Sequence, residues 1–341
     1  MVSNVFVNDL LRAIPKVQLH CHLEGTLRPS RFLELAQRHG VDLGARAGRP
    51  LEHLYDFSDF REFLLLFRDV CETLREPGDF ARLAADYVDD AAAQGVRYAE
   101  IFVSPSVWTW FHRELDLRET FARMRAAIDD RCLATGMDVS LICDLTRNFG
   151  PERALETARV ALAMRDLGVI GVGLGGDEAV PPALFVDAVA LAREGGLHVV
   201  VHAGEAAGAH SVREAIERLG AERIGHGVRA LEDPEVVAML RDRRIPVEVC
   251  PTSNRLTGAV ARDTEHPIGE LDASNVIVTL DADDPALFAV SLLDEYEAVE
   301  RTLGLATAVR FARNGIDASF APAVTKRRLH AAFQKATAGA V

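Results

Sequence analysis

Eight short apolar runs, separated by helical stretches, constrain this 341-residue chain more than any other feature. They are VQLHCHL (17–23), VRYAEIFVSP (96–105), DVSLICDL (138–145), VIGVGLGGDE (169–178), HVVVHAGE (198–205), RIGHGV (223–228), PVEVCPTSN (246–254) and VIVTLDADDP (276–285). Most are β-branched and apolar on both faces, the pattern of strands covered on both sides. Between them lie helical patterns such as GPERALETARVALAMRDLG and SVREAIERLG. Strands alternating with helices imply βαβ units and a parallel sheet. Eight such units in a chain of this length predict an α/β fold, a (β/α)8 TIM barrel, with residues 1–341 as a single domain.

The first interval is too long for one crossover. Residues 27–94 hold several helices, an insertion after the first strand. Within it FREFLLLF (60–67) puts Phe60, Phe63, Leu64 and Phe67 on one helical face. That face either packs on the core or walls off an apolar pocket as a lid.

Charge and cysteine usage narrow the partners. A net charge of −13 argues against a nucleic-acid backbone as the main partner. The five cysteines, Cys21, Cys71, Cys132, Cys143 and Cys250, are odd in number, scattered and without a CxxC pair. They read as reduced thiols of a cytoplasmic protein. No basic-then-apolar leader opens the chain, and no apolar run approaches the ~18 residues that span a bilayer. A small-molecule partner is expected, with neither nucleic acid nor membrane; the oligomeric state does not follow.

In a barrel of this kind the active site lies at the C-terminal ends of the strands. The unusual polar residues fall there. His20 and His22 end the first run, two positions apart and so on one face of an extended chain. His202 and Glu205 end the fifth, His226 the sixth, and Asp281, Asp283 and Asp284 the eighth; Asp177 and Glu178 follow glycines at the end of the fourth. Singly, each has an ordinary explanation. A strand histidine is usually a hydrogen-bonded core residue, and Asp-Asp-Pro makes a turn or a helix cap. Together, four histidines and an aspartate pair at four strand ends point to a metal site.

His20, His22, His202 and one aspartate of the eighth strand offer three nitrogens and one oxygen, a set that suits catalytic Zn2+, with iron, cobalt and manganese as alternatives. Two-metal barrels of this type often need a bridging lysine near the fourth strand, and VIGVGLGGDE has none, so one metal per chain is expected. Zinc brings the pKa of bound water to about 7. His226 is then a candidate base and Glu205 a candidate acid, provided burial keeps it protonated.

The set PKVQLHCHLEGTLRP, GLGGDE, HAGE, ERIGHGV, CPTSN and TLDADDP, in that order across nearly the whole chain, resembles the adenosine deaminase family of the amidohydrolase superfamily. The resemblance implies hydrolytic loss of the 6-amino group of a purine. It implies zinc held by His20, His22, His202 and Asp283. It implies that Glu205 protonates N1, that His226 orients and deprotonates the attacking water, that Asp284 bonds N7 and helps hold the hydroxide, and that the Gly176 N–H meets N3. FREFLLLF matches the family's apolar lid, with Phe63 and His22 against the substrate.

The departures bear on substrate. Family members usually carry HLDG, whose aspartate reaches the ribose 5′-hydroxyl; here Glu24 stands in that place, and HCHLEGTL looks like the adenine deaminase branch. RIGHG and LTGAV look like the adenosine branch. Gly173 replaces a usual aspartate, and Asp281-Ala282 a usual Asn-Thr. Adenosine and 2′-deoxyadenosine are the leading substrates, with free adenine or a 5′-modified adenosine as alternatives. Another amidohydrolase-type reaction, or a non-catalytic relative, fits less well.

Overall fold

The computed structural model describes residues 4–338. All eight runs form strands: β1 (Lys16–Gln18), β2 (Val96–Val103), β3 (Asp138–Asp144), β4 (Val169–Leu174), β5 (His198–Ala203), β6 (Arg223–His226), β7 (Val247–Val249) and β8 (Val278–Leu280). They are parallel and follow one another in chain order around a nearly closed (β/α)8 barrel. The seam between the first and last strands closes beyond their regular parts. Cys21 bridges Asp283, with Asp283 N–H to His20 O at 3.1 Å and His22 N–H to Asp283 O at 2.9 Å.

Asp281 reinforces this seam. It is fully buried, and one carboxylate oxygen accepts from the Leu19 and His20 N–H groups at 2.6 and 3.0 Å. Thr279 donates to the other oxygen at 2.9 Å. Its acid thus replaces missing strand-to-strand backbone pairing.

Helix α1 (Asn4–Ala13) precedes the barrel. The 27–94 interval contains α2 (Pro29–His39), α3 (Phe60–Thr73) and α4 (Pro77–Ala93), each begun by a proline or capped by an acid. On α3, Asp59 caps the N-terminus by accepting from the Glu62 N–H. A short helix, α5 (Pro105–Phe111), follows β2. Phe63 of α3 is buried, stacked on Phe288 at a ring distance of 5.0 Å.

The inside of the barrel alternates with its helix-facing side, as parallel strands require. Phe102, Ile142 and Val200 form a small apolar layer within it. Beside this layer lies a buried charged cluster. Arg223 meets Glu100 at 2.6 Å and Glu248 at 2.5 Å, and Glu248 reaches His20 Nδ1 at 2.9 Å. All five cysteines are unpaired, and among the described residues no helix is long and apolar enough to cross a membrane.

Candidate active site

The strand ends bring the metal-ligand candidates together. Asp283 Oδ1 lies 3.4 Å from His20 Nε2 and 3.5 Å from His22 Nε2, and His22 Nε2 lies 3.2 Å from His202 Nε2. Ligands at roughly 2.0–2.2 Å from zinc in a tetrahedron stand about 3.3 Å apart, which these three separations match. Burial pushes the His22 imidazole down to about 4 and holds His202 well below its usual value, so both are neutral at pH 7. At 3.2 Å the two ring nitrogens are within hydrogen-bond distance, and neutral imidazoles are also the form that ligates a metal. His20 Nε2 is also buried with no hydrogen-bond partner. The donor set therefore fits a divalent cation.

Two other groups approach the cluster. Cys250 is near enough to ligate, but burial raises its thiol well above the usual range, and a protonated thiol is a poor ligand. His226 comes close as well, with a nitrogen within 4.8 Å of one on His20 and one on His202, and Nε2 4.0 Å from Asp283 Oδ2. Nδ1 meets the Asn254 amide at 3.0 Å, and Nε2 lies 3.6 Å from Glu205 Oε2. His226 and Asp283 both have φ of 62°, a left-handed backbone that costs on the order of 1–3 kcal/mol per non-glycine residue and clusters at functional sites.

Glu248, which no motif pointed to, orients His20 by accepting at Nδ1. Such partners fix the tautomer and ring plane of a ligand. Glu248→Gln is expected to weaken zinc affinity about 10–100-fold, read by titration against a competing chelator; unchanged affinity would remove this role. Ser253 similarly donates to Asp283 Oδ2 at 2.6 Å. The short helix Pro251–Leu256 and the residue after it thus reach the site three times, through Ser253, Asn254 and Thr257.

Glu205 sits just past β5, its side chain 15 % exposed. Thr257 donates to its Oε1 at 3.2 Å. Burial raises its carboxyl; His226 opposes the shift, and the nearby Asp283 and Glu178 reinforce it. Glu178 positions the loop by accepting from the Glu205 and Ala207 N–H groups. Arg147, buried after β3, donates to the His202 carbonyl and to Val180 O, tying three strand ends together.

Asp284 is buried with Oδ1 unpartnered. Burial, and then the adjacent Asp283, raise its carboxyl well above the usual range. Gly25 makes room for it: a Cβ there would lie 1.8 Å from Asp284 Oδ1. Gly25→Ala is therefore expected to keep the barrel, displace Asp284 and lower ammonia release about 10²-fold, the scale of a 1 Å misplacement. Circular dichroism beside the activity assay separates this from misfolding.

These groups open into a cavity of about 350 Å3. Its polar end holds His22, His202, Glu205, His226, Asp283, Asp284 and Gly176, whose φ of 92° suits only glycine. Its apolar wall comes from Phe60, Phe63, Leu64 and Phe67 of α3 and from Val107, Trp110 and Phe111. The one substrate candidate outside the lining is Glu24. It is fully buried, with Oε1 accepting from Trp108 Nε1 at 2.6 Å and Ser104 N–H at 2.9 Å. Asp144 lines the cavity without having been singled out in the sequence.

Histidines and an aspartate converging at the strand ends of a parallel barrel, beside a carboxyl group and a further imidazole, are the site of an amidohydrolase-type hydrolase. The adenosine deaminase family profile matches residues 15–336. The chain is 38% identical to an aminodeoxyfutalosine deaminase of Streptomyces coelicolor over 95% of its own length and 84% of the relative's. It is 33% identical to the crystal structure of an adenine deaminase from Arthrobacter aurescens, with a TM-score of 0.88 and coverage of 95% and 99%. An amidohydrolase from Burkholderia ambifaria with bound Zn superposes at 0.86, with 29% identity and coverage of 98% and 93%.

The chain belongs to the adenosine deaminase family. It is a hydrolase acting on C–N bonds in cyclic amidines and deaminates purine-type substrates.

Proposed function

We propose that the protein is a zinc-dependent enzyme that removes the 6-amino group of a purine nucleoside, with adenosine, 2′-deoxyadenosine and 5′-modified adenosines as leading substrates. The reading is carried by the convergence of His20, His22, His202 and Asp283 at the end of the pocket where Glu205 and His226 face each other. One zinc ion held by those four side chains supplies a Lewis acid that brings the pKa of water to about 7.

The chain's own groups do the rest. His226 orients the attacking water and takes its proton at Nε2; this step needs the Asn254 amide, whose nitrogen lies 3.0 Å from Nδ1, to rotate and present its oxygen to Nδ1–H. Addition at C6 pushes electron density toward N1. Glu205, whose carboxyl burial raises toward the acid form, delivers a proton there. Asp284 bonds N7, and the Gly176 N–H meets N3. These donors are fixed before charge develops, which stabilises the transition state without reorganisation. The phenylalanines of α3, with His22 and Phe63 nearest the substrate, act as a lid that excludes water. Glu24 acts on the pocket through Ser104 and Trp108. The amino group takes the proton held on His226 and leaves C6 as ammonia, and the C6 hydroxyl gives its remaining proton back to Glu205 as the carbonyl forms. The unpaired cysteines support a cytoplasmic enzyme.

A nucleoside is favoured over a free base by the space beyond the purine. The cavity shares Trp110, Asn148 and Phe149 with a second cavity of about 670 Å3. The relative named aminodeoxyfutalosine deaminase fits the same preference. Free adenine is the second reading, favoured because Glu24 lies outside the cavity lining with Oε1 held by Trp108 and Ser104. Ammonia release from adenosine, 2′-deoxyadenosine, adenine, aminodeoxyfutalosine and other 5′-substituted adenosines decides between them. Nucleoside turnover at least tenfold above adenine is expected. Turnover of adenine alone would reverse the preference.

A further inference from the structure

We propose that Asp144 is a specificity residue that accepts a hydrogen bond from a donor on the N3–N9 edge of the purine, either N9–H of a free base or a ribose hydroxyl. The inference rests on the functional reading above, which sets C6 at the metal cluster and N3 at Gly176.

Three observations carry it. First, β4 turns glycines into the barrel at Gly171 and Gly173, and Gly175 continues the pattern just past the strand. A Cβ at Gly173 would lie 2.7 Å from Phe102 and 2.9 Å from Asp144 Oδ1, and one at Gly175 would lie 2.8 Å from Asp144 Oδ2. The carboxyl group from β3 therefore occupies space that β4 leaves empty, and a side chain at Gly173 would evict it. Second, Asp144 lies in the wall of the catalytic pocket, 4 % exposed, with Oδ1 buried and unpartnered. An orphaned buried carboxyl oxygen is costly, and a built site that tolerates one has a partner to supply. Third, its place in the ring of strands is right. Glu205 follows β5 and His226 ends β6, Gly176 follows β4, and Asp144 ends β3, so Asp144 lies one strand beyond Gly176 on the side away from the acid and base. A purine with N1 at Glu205 presents its N3–N9 edge to that side.

Burial and the neighbouring Glu24 push the Asp144 carboxyl up to about 7. The group thus stays buried without a full uncompensated charge while it waits for a substrate donor.

The test compares zinc-loaded wild type, Asp144→Ala and Asp144→Asn on adenine, adenosine, 2′-deoxyadenosine and 9-methyladenine, with kcat and KM measured separately. Asp144→Ala is expected to raise KM about 10–100-fold for the substrate whose donor it holds, with a smaller change in kcat and unchanged zinc content. 9-Methyladenine, which lacks the donor, should not distinguish wild type from variant. Asp144→Asn keeps the shape and one acceptor and should recover part of the loss. An effect on adenine alone identifies N9–H. An effect on adenosine that disappears with 2′-deoxyadenosine identifies the 2′-hydroxyl, and an effect on both nucleosides identifies another sugar hydroxyl.

Equal KM values for wild type and both variants on every substrate would overturn the proposal. A wild-type protein that releases no ammonia from any purine would instead contradict the functional reading. Calorimetric titration with hypoxanthine and inosine then decides on Asp144: weaker binding by the alanine variant supports the contact, and equal or absent binding overturns it.

Discussion

Glu205→Gln is expected to fold, retain zinc and lose about 10²–10⁴-fold in kcat, the usual contribution of a positioned acid. The amide preserves the shape and the Thr257 hydrogen bond but has no proton to give N1. The same assignment fixes a pH sign. Burial raises the Glu205 carboxyl, so its acid form survives to higher pH than an ordinary glutamate, and turnover that depends on it falls as pH rises through that raised value. The glutamine variant should lack this alkaline limb. Near-normal turnover in the variant would remove Glu205 from the chemistry, and retained activity without zinc would remove the metal.

Arg223→Met is expected to be the most destabilising single change in the barrel. Arg223 is 1 % exposed and lies between Glu100 and Glu248, which are fully buried. Removing the shared cation leaves Glu100 with the Phe320 N–H and Glu248 with His20, two buried carboxylates without the guanidinium between them. Breaking a buried pair from one side costs about 3–5 kcal/mol. Denaturant unfolding should show an unfolding free energy lower by that amount, read as a lower midpoint at unchanged m. Arg223→Lys should fall between, because an ammonium is a point charge and cannot fork between two acids. Since Glu248 also holds His20, zinc affinity should fall along with stability. A midpoint equal to wild type would show that the cluster is not load-sharing and that water reaches it.

The eight strands were legible because a parallel strand buried on both faces is an apolar, β-branched run, and nothing else in this chain looks like one. The pairing of His20 with His22 was legible from two-residue alternation alone, although regular pairing ends at Gln18 and the histidines sit in the irregular continuation. What stayed hidden depends on register between distant strands. Asp281 bonds Leu19 across 262 positions of sequence, and Glu248 meets His20 across 228. Neither contact has a local pattern. Asp144 was hidden for a related reason. A single acid at the end of an apolar run means little until the glycines of β4 are seen to lie beside it. The alternating glycines of VIGVGLGG were the available signal, since a strand with no inward side chains requires a neighbour to fill the space.

Substrate preference was the least legible property. Glu24 carried the sequence argument for a sugar contact; its Oε1 accepts from Trp108 and Ser104, while Oε2 is buried without a partner. The residues that shape the outer pocket come from α3, α5 and the loop after β3, and their meeting is set by the whole barrel.

The most direct test of the central claim is zinc titration of the chelator-stripped protein, with ammonia release from adenosine, adenine and 5′-substituted adenosines measured at each step. Activity on at least one of these purines should vanish with the metal and return in proportion to zinc, saturating at one ion per chain. Full turnover in the stripped protein, or none in the reloaded protein on any purine, would contradict it.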